Sequence, residues 1–200
     1  MQSHFLIITG MSGAGKTQVV RTLEDLNFFC IDNLPATLIP KFAELCRQTS
    51  EEKVALVVDI RGGRFFDKLL QVLDEMEASG QKYELLFLDA SDATLVRRYK
   101  ETRRRHPLGE RNTLLKNITC ERELLDPLRE KATHIIDTST LTTAQLKAKV
   151  TEMFGEGSSK ERMGIVVRSF GFKHGLPLDS DLVLDVRFLP NPFMWRSCAI

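Results

Sequence analysis

Residues Gly10-Met11-Ser12-Gly13-Ala14-Gly15-Lys16-Thr17 satisfy the pattern G-x-x-x-x-G-K-[ST]. The flanks make this pattern a constraint on the fold. Phe5-Leu6-Ile7-Ile8-Thr9 is a continuous apolar run of the kind that forms a strand covered on both faces. Gln18 to Leu26 carries apolar residues at helical spacing. A strand, a glycine-rich bend and a helix in direct succession make a phosphate-binding loop. Glycine admits positive φ because no Cβ stands in the way. The wrapped amides and the positive helix end can then face an anion. Gly10, Met11, Ser12, Gly13, Ala14 and Gly15 are therefore expected to cradle a nucleoside polyphosphate. Lys16 should reach its outer phosphates as the catalytic cation, and the Thr17 hydroxyl should sit on Mg2+. The bland alternative is a strand-to-helix turn with an exposed lysine.

The rest of the chain repeats this alternation. Strands are expected at Phe5–Thr9, Phe28–Ile31, Val54–Asp59, Glu84–Asp89 and His134–Ile136, with helices over 16–26, 38–48, 65–79, 92–105, 113–131 and 142–154. This order, with the phosphate-binding loop after the first strand, predicts an α/β fold with a doubly wound parallel sheet, as in a P-loop NTPase. Gly155-Glu156-Gly157-Ser158-Ser159-Lys160-Glu161 reads as a linker. The expected organisation is a nucleotide-binding domain over 1–154, a linker over 155–162 and, over 163–200, either the incomplete start of a second domain or an appendage docked on the first. Strand patterns recur at Met163–Phe170 and Leu182–Phe188. Some forty residues are too few to bury a core alone. Net charge is +1, so nothing global draws the chain to nucleic acid or membrane. No run approaches the ~20 apolar residues of a membrane span. Cys30, Cys46, Cys120 and Cys198 are scattered without a C-x-x-C pair. They read as reduced thiols of a cytoplasmic protein.

Several other residues could carry chemistry. Val54-Ala55-Leu56-Val57-Val58-Asp59 is an apolar strand ending in a carboxylate, so Asp59 could hold Mg2+ opposite Thr17. Ile60, Arg61 and Gly62 follow it and suit a second phosphate or base contact. Asp89 ends its strand in the same way but also begins a helix-capping stretch, Asp89-Ala90-Ser91-Asp92. Asp32, in Cys30-Ile31-Asp32-Asn33-Leu34-Pro35, either positions a water or substrate hydroxyl, or caps a turn before proline. Arg97 to His106 holds six Lys or Arg residues against one acidic residue. Arg103, Arg104 and Arg105 could close over a phosphoryl group, or contact RNA. The alternative is an exposed helix with cations near its C-terminus.

Taken together these segments resemble the bacterial RapZ/YvcJ family. The likeness rests on Gly10–Thr17, Cys30–Pro35, Asp59–Gly62, Leu86–Ala90, Arg97–Tyr99, Thr102–Leu108, and Ser169–Gly175 through Asp185–Pro192. It implies a kinase-like P-loop domain that binds ATP and GTP and hydrolyses them feebly. Gly10–Thr17 would be the ATP loop, and Asp59, Ile60, Arg61 and Gly62 the segment for GTP. Enterobacterial members are RNase adapters that bind a small RNA through the C-terminal domain and sense an amino-sugar phosphate. Members run roughly eighty residues further, most of a domain of ordinary size. Phe193–Ile200 does not match the family pattern, so a shortened second domain is expected. Weak or absent RNA binding follows from that, as does self-association through open strand edges. The rival enzyme reading is a small-molecule kinase with Asp32 as base and Arg103–Arg105 as lid.

Overall fold

The computed structural model describes residues 4–48, 53–58, 63–102, 106–109, 113–155 and, further on, 166–171, 173, 175–178, 180–185 and 187–189. Five strands form one parallel sheet: β1 His4–Gly10, β2 Phe29–Asp32, β3 Lys53–Val57, β4 Glu84–Asp89 and β5 His134–Asp137. Their spatial order is β2-β3-β1-β4-β5. β1 lies at the centre, with Ile7 opposite Leu56 of β3 and Leu85 of β4. The helices are α1 Lys16–Asp25, α2 Ile39–Gln48, α3 Gly63–Ala78, α4 Asp92–Thr102, α5 Leu114–Lys131 and α6 Thr143–Phe154, with a 3-10 turn at Ala36–Leu38 before α2.

The pattern explains the layers. Phe5 to Ile8, Val54 to Val57 and Leu85 to Leu88 are all buried, because helices cover both faces of the central strands. α1 packs against α6, while α3 packs against α2 and α5. Right-handed crossovers require this division for this strand order. The doubly wound α/β class expected from the alternation is the class observed. The chain divides into two compact units, Met1–Ser159 and Lys160–Ile200.

The expected strands over Met163–Phe170 and Leu182–Phe188 are not present among the described residues of those stretches. Val166, Val167, Leu182 and Phe188 are largely exposed. Strand-forming side chains need a sheet face to bury against, and two strands alone are marginal in water. No helix among the described residues is long and apolar enough to cross a membrane.

Candidate functional site

β1 leads into α1 on one face of the sheet, whereas its neighbours β3 and β4 lead to helices on the other. The chain therefore parts at the carboxyl end of β1, where open α/β sheets form their ligand crevice. Residues 10–17 occupy that place. Gly10 has φ +134°, and a Cβ there would lie 2.1 Å from the Leu88 carbonyl oxygen of β4. Met11 donates its N–H to that same oxygen at 2.9 Å. Ala14 N–H closes back on the Met11 carbonyl at 3.0 Å. Gly13 and Gly15 also have positive φ. The Met11 and Ala14 side chains are fully buried, so they anchor the loop in the core.

α1 begins straight from this loop. Its N-cap is Gly15, no side chain caps it, and no acidic residue lies in its first turn. First-turn amides have no partner inside a helix, and they carry the positive end of its dipole. Lys16 folds back across the loop, its ammonium donating to the carbonyls of Gly10 at 2.7 Å and Met11 at 3.3 Å. Thr17 is exposed in the same turn.

Side chains from distant elements set the loop's shape. Arg98 of α4 donates to the Gly13 carbonyl at 3.0 Å, and to the Thr138 hydroxyl and carbonyl at 3.0 and 2.7 Å. Burial, and then the neighbouring Arg97 charge, lower the Arg98 pKa. Thr138 is itself buried, with its hydroxyl 2.9 Å from the Ala14 carbonyl oxygen. Glu121 of α5 accepts the Ser12 N–H at 3.0 Å and faces His106 Nε2 at 3.0 Å through its other oxygen. Arg98 stood within the expected arginine-rich run, but Thr138 and Glu121 were not expected from sequence. One signal existed for Glu121: Ile118, Glu121, Leu125 and Leu128 share one stripe of α5, and all are buried.

The remaining candidates are placed as follows. Asp32 ends β2 and is exposed. Asp89 is committed elsewhere: its carboxylate accepts from Ala90 N–H at 2.8 Å and Arg122 at 2.7 Å. Arg122 also donates to Asp92 and the Ala90 carbonyl, both at 2.7 Å. Burial opposes the Arg122 charge, but its bonds to Asp89 and then Asp92 raise the pKa overall. The cap of α4 is formed by Ser91, whose hydroxyl lies 3.4 Å from Thr94 N. Asp59, Ile60, Arg61 and Gly62, and Arg103, Arg104 and Arg105, lie outside the described residues. Among the described residues Cys30, Cys46 and Cys120 form no disulfide.

A family model described as the RapZ-like N-terminal domain matches residues 3–158, and one described as the RapZ C-terminal domain matches residues 163–199. The second match runs to residue 199 and so enters Phe193–Ile200. Nucleotide-binding proteins of Clostridium botulinum and Clostridium kluyveri are 57% and 55% identical over 192 residues, 94% of this chain. The chain spans 65% and 66% of the lengths of those two relatives. Shikimate kinase from Bacteroides thetaiotaomicron is similar in fold, at TM-score 0.51 and 21% identity, over 75% of this chain and 96% of that one.

Proposed function

We propose that this chain, which belongs to the RapZ-like protein family, binds a nucleoside triphosphate, ATP or GTP, with Mg2+ in the loop Gly10–Thr17. In this reading it acts in the cytoplasm as a regulatory protein with slow hydrolysis at most. One observation carries it. The Lys16 ammonium is held at 2.7 Å from the Gly10 carbonyl, across a glycine bend that opens onto an uncapped helix end. A cation beside the uncapped first turn of a helix suits a polyphosphate. The relatives named nucleotide-binding proteins add support.

The donors present fit magnesium. Thr17 offers an exposed hydroxyl oxygen in the first turn of α1, and Asp59 would add a carboxylate, both hard ligands of the type this ion takes. The ion, when bound, neutralises charge on the outer phosphates. Lys16 shares that charge, and the amides of the bend orient the chain of phosphates. Asp59–Gly62 would contact a second nucleotide, as the resemblance implies for GTP. A small-RNA partner belongs to the same resemblance.

Isothermal calorimetry tests the reading. The wild-type chain should bind ATP with Mg2+, and Lys16→Ala should lose that binding while keeping its melting temperature. Unchanged affinity in Lys16→Ala would refute the assignment.

A small-molecule kinase is the second reading. Asp32 at the end of β2 lies one strand beyond β3 from β1, about 10 Å across the sheet at the usual strand spacing. That gap leaves room for an acceptor between carboxylate and phosphates. Labelled ATP supplied with a mixture of metabolites would yield a phosphorylated product for a kinase, and only free phosphate for a regulator.

A further inference from the structure

We infer that Glu121 is a positioning residue for the nucleotide loop, holding its first bend in the form that presents Gly13 to Thr17 to a polyphosphate. The inference rests on the nucleotide-binding reading above.

Glu121 is 1% exposed, and both of its oxygens are held. Oε1 accepts the Ser12 N–H at 3.0 Å, although the two residues are 109 positions apart. Oε2 meets His106 Nε2 at 3.0 Å. His106 Nδ1 accepts the Leu108 N–H at 3.3 Å, so the proton of the neutral ring sits on Nε2 and is donated to the carboxylate. Two neighbours fix the imidazole and the chain after it. Tyr99 packs against the His106 ring at 5.2 Å between centroids, and Asn117 Nδ2 donates to the Gly109 carbonyl at 2.7 Å. The carboxylate therefore cannot turn away from Ser12 without breaking this set.

Placement of the charge makes its purpose a question. A buried carboxylate is costly to desolvate. It also lies under a loop proposed to bind an anion, where its charge opposes the ligand. A leucine would suit the apolar stripe of α5 better. The gain is a charge-assisted hydrogen bond that fixes one peptide of the bend. Arg98 and Thr138 hold the next two residues through the carbonyls of Gly13 and Ala14. The bend is thus clamped from α4, from the end of β5 and from α5. A loop preset in this way does not have to be ordered by the ligand.

Position and charge can be separated by substitution. Glu121→Asp keeps the charge but retracts the carboxylate by one methylene. Glu121→Gln removes the charge and keeps an oxygen that reaches Ser12, while its amide NH2 then faces His106 Nε2, whose proton has to move to Nδ1 at the expense of the Leu108 N–H bond. The full 200-residue chain is titrated with ATP and Mg2+ by calorimetry, well below its melting temperature. Glu121→Ala and Glu121→Asp are expected to weaken binding about tenfold or more, the effect of a slight misplacement of binding groups. Glu121→Gln, which keeps the Ser12 bond but not the one from His106, should recover part of what Glu121→Ala loses and bind more tightly than Glu121→Asp. Leu128→Ala, a buried change on the same helix, controls for destabilisation: it should lower the melting temperature and leave affinity unchanged. If Glu121→Ala does not fold, the Asp and Gln variants decide, and affinity that follows charge instead of reach overturns the inference. Affinities of Glu121→Asp and Glu121→Ala within about threefold of wild type, ~0.7 kcal/mol, also overturn it while the nucleotide reading stands. If the wild-type chain binds no ATP, the nucleotide reading fails and this inference falls with it.

Discussion

At Gly10 the loop depends on the absence of one atom. Its φ is +134°, and a Cβ would fall 2.1 Å from Leu88 O and 2.5 Å from Leu88 N. Both are backbone atoms of the adjacent strand, so no rotamer change relieves the clash. Gly10→Ala is expected to cost about 3 kcal/mol or more, combining an unfavourable φ with displaced backbone. Gly80 has φ +70° with open space around it, so Gly80→Ala should cost only ~1 kcal/mol. Urea unfolding of the two variants checks the contrast, and equal losses would contradict it. Glycine spacing made this loop legible in the sequence, because only φ and close approach demand glycine at such positions. The residues that brace the loop were less legible. Glu121 acts on Ser12 from 109 positions away, and only its place on an apolar helical stripe marks it as buried. Thr138 carries no local signal at all, because its role arises from strand order.

Elements were the most legible scale. The strand from Glu84 to Asp89 was expected over the residues it occupies, and the helices differ from expectation by a few residues at their ends. Buried parallel strands show themselves as apolar runs, and the helices between them show the 3.6-residue period. β3 stops at Val57, short of the expected Asp59, because an apolar run marks burial and not the last ladder bond. At the opposite end of the sheet, elements meet through a polar contact that the pattern did not announce. Glu84 of β4 lies 3.1 Å from His4 of β1 and 2.9 Å from His134 of β5. Burial pushes the Glu84 carboxyl up, but hydrogen bonds from His134 and then His4 outweigh it and hold the pKa below its usual 4.5. A carboxyl with a lowered folded pKa adds stability that is fully present above its unfolded value and lost as pH falls through the folded one. The three side chains are partly solvated, which limits the contribution to less than about 1 kcal/mol. Wild type should therefore exceed Glu84→Gln in stability at neutral pH, and the gap should close as pH drops below ~4.5. Urea unfolding of both proteins across that range measures it. A gap that widens on acidification would reverse the sign and refute the account.

Across the whole molecule, burial is distributed very unevenly. Every hydrophobic core residue among those described lies between Phe5 and Val150. In the second unit, Val166, Val167 and Phe188 are 83%, 90% and 82% exposed. Side chains that exposed contribute almost nothing to the ~25 cal/mol per Å² gained on burial. The family model of the C-terminal domain matches residues 163–199, yet the described residues of that stretch form no strand where the alternation led one to be expected. What patterning could not supply was a sheet face to bury them. The thermodynamic consequence is that residues 1–159 should carry the stability of the chain. A fragment 1–159 should melt within about 2 °C of the 200-residue chain, a margin of about 0.7 kcal/mol for a domain of this size. It should also retain ATP affinity, because the bend, Arg98, Thr138 and Glu121 all lie within it. Differential scanning calorimetry and titration with ATP and Mg2+ test both halves of this expectation. A fall of more than ~5 °C would mean that residues 160–200 contribute on the order of 1 kcal/mol or more to the folded state. Burial in the first unit would then be an incomplete account of what holds the molecule together.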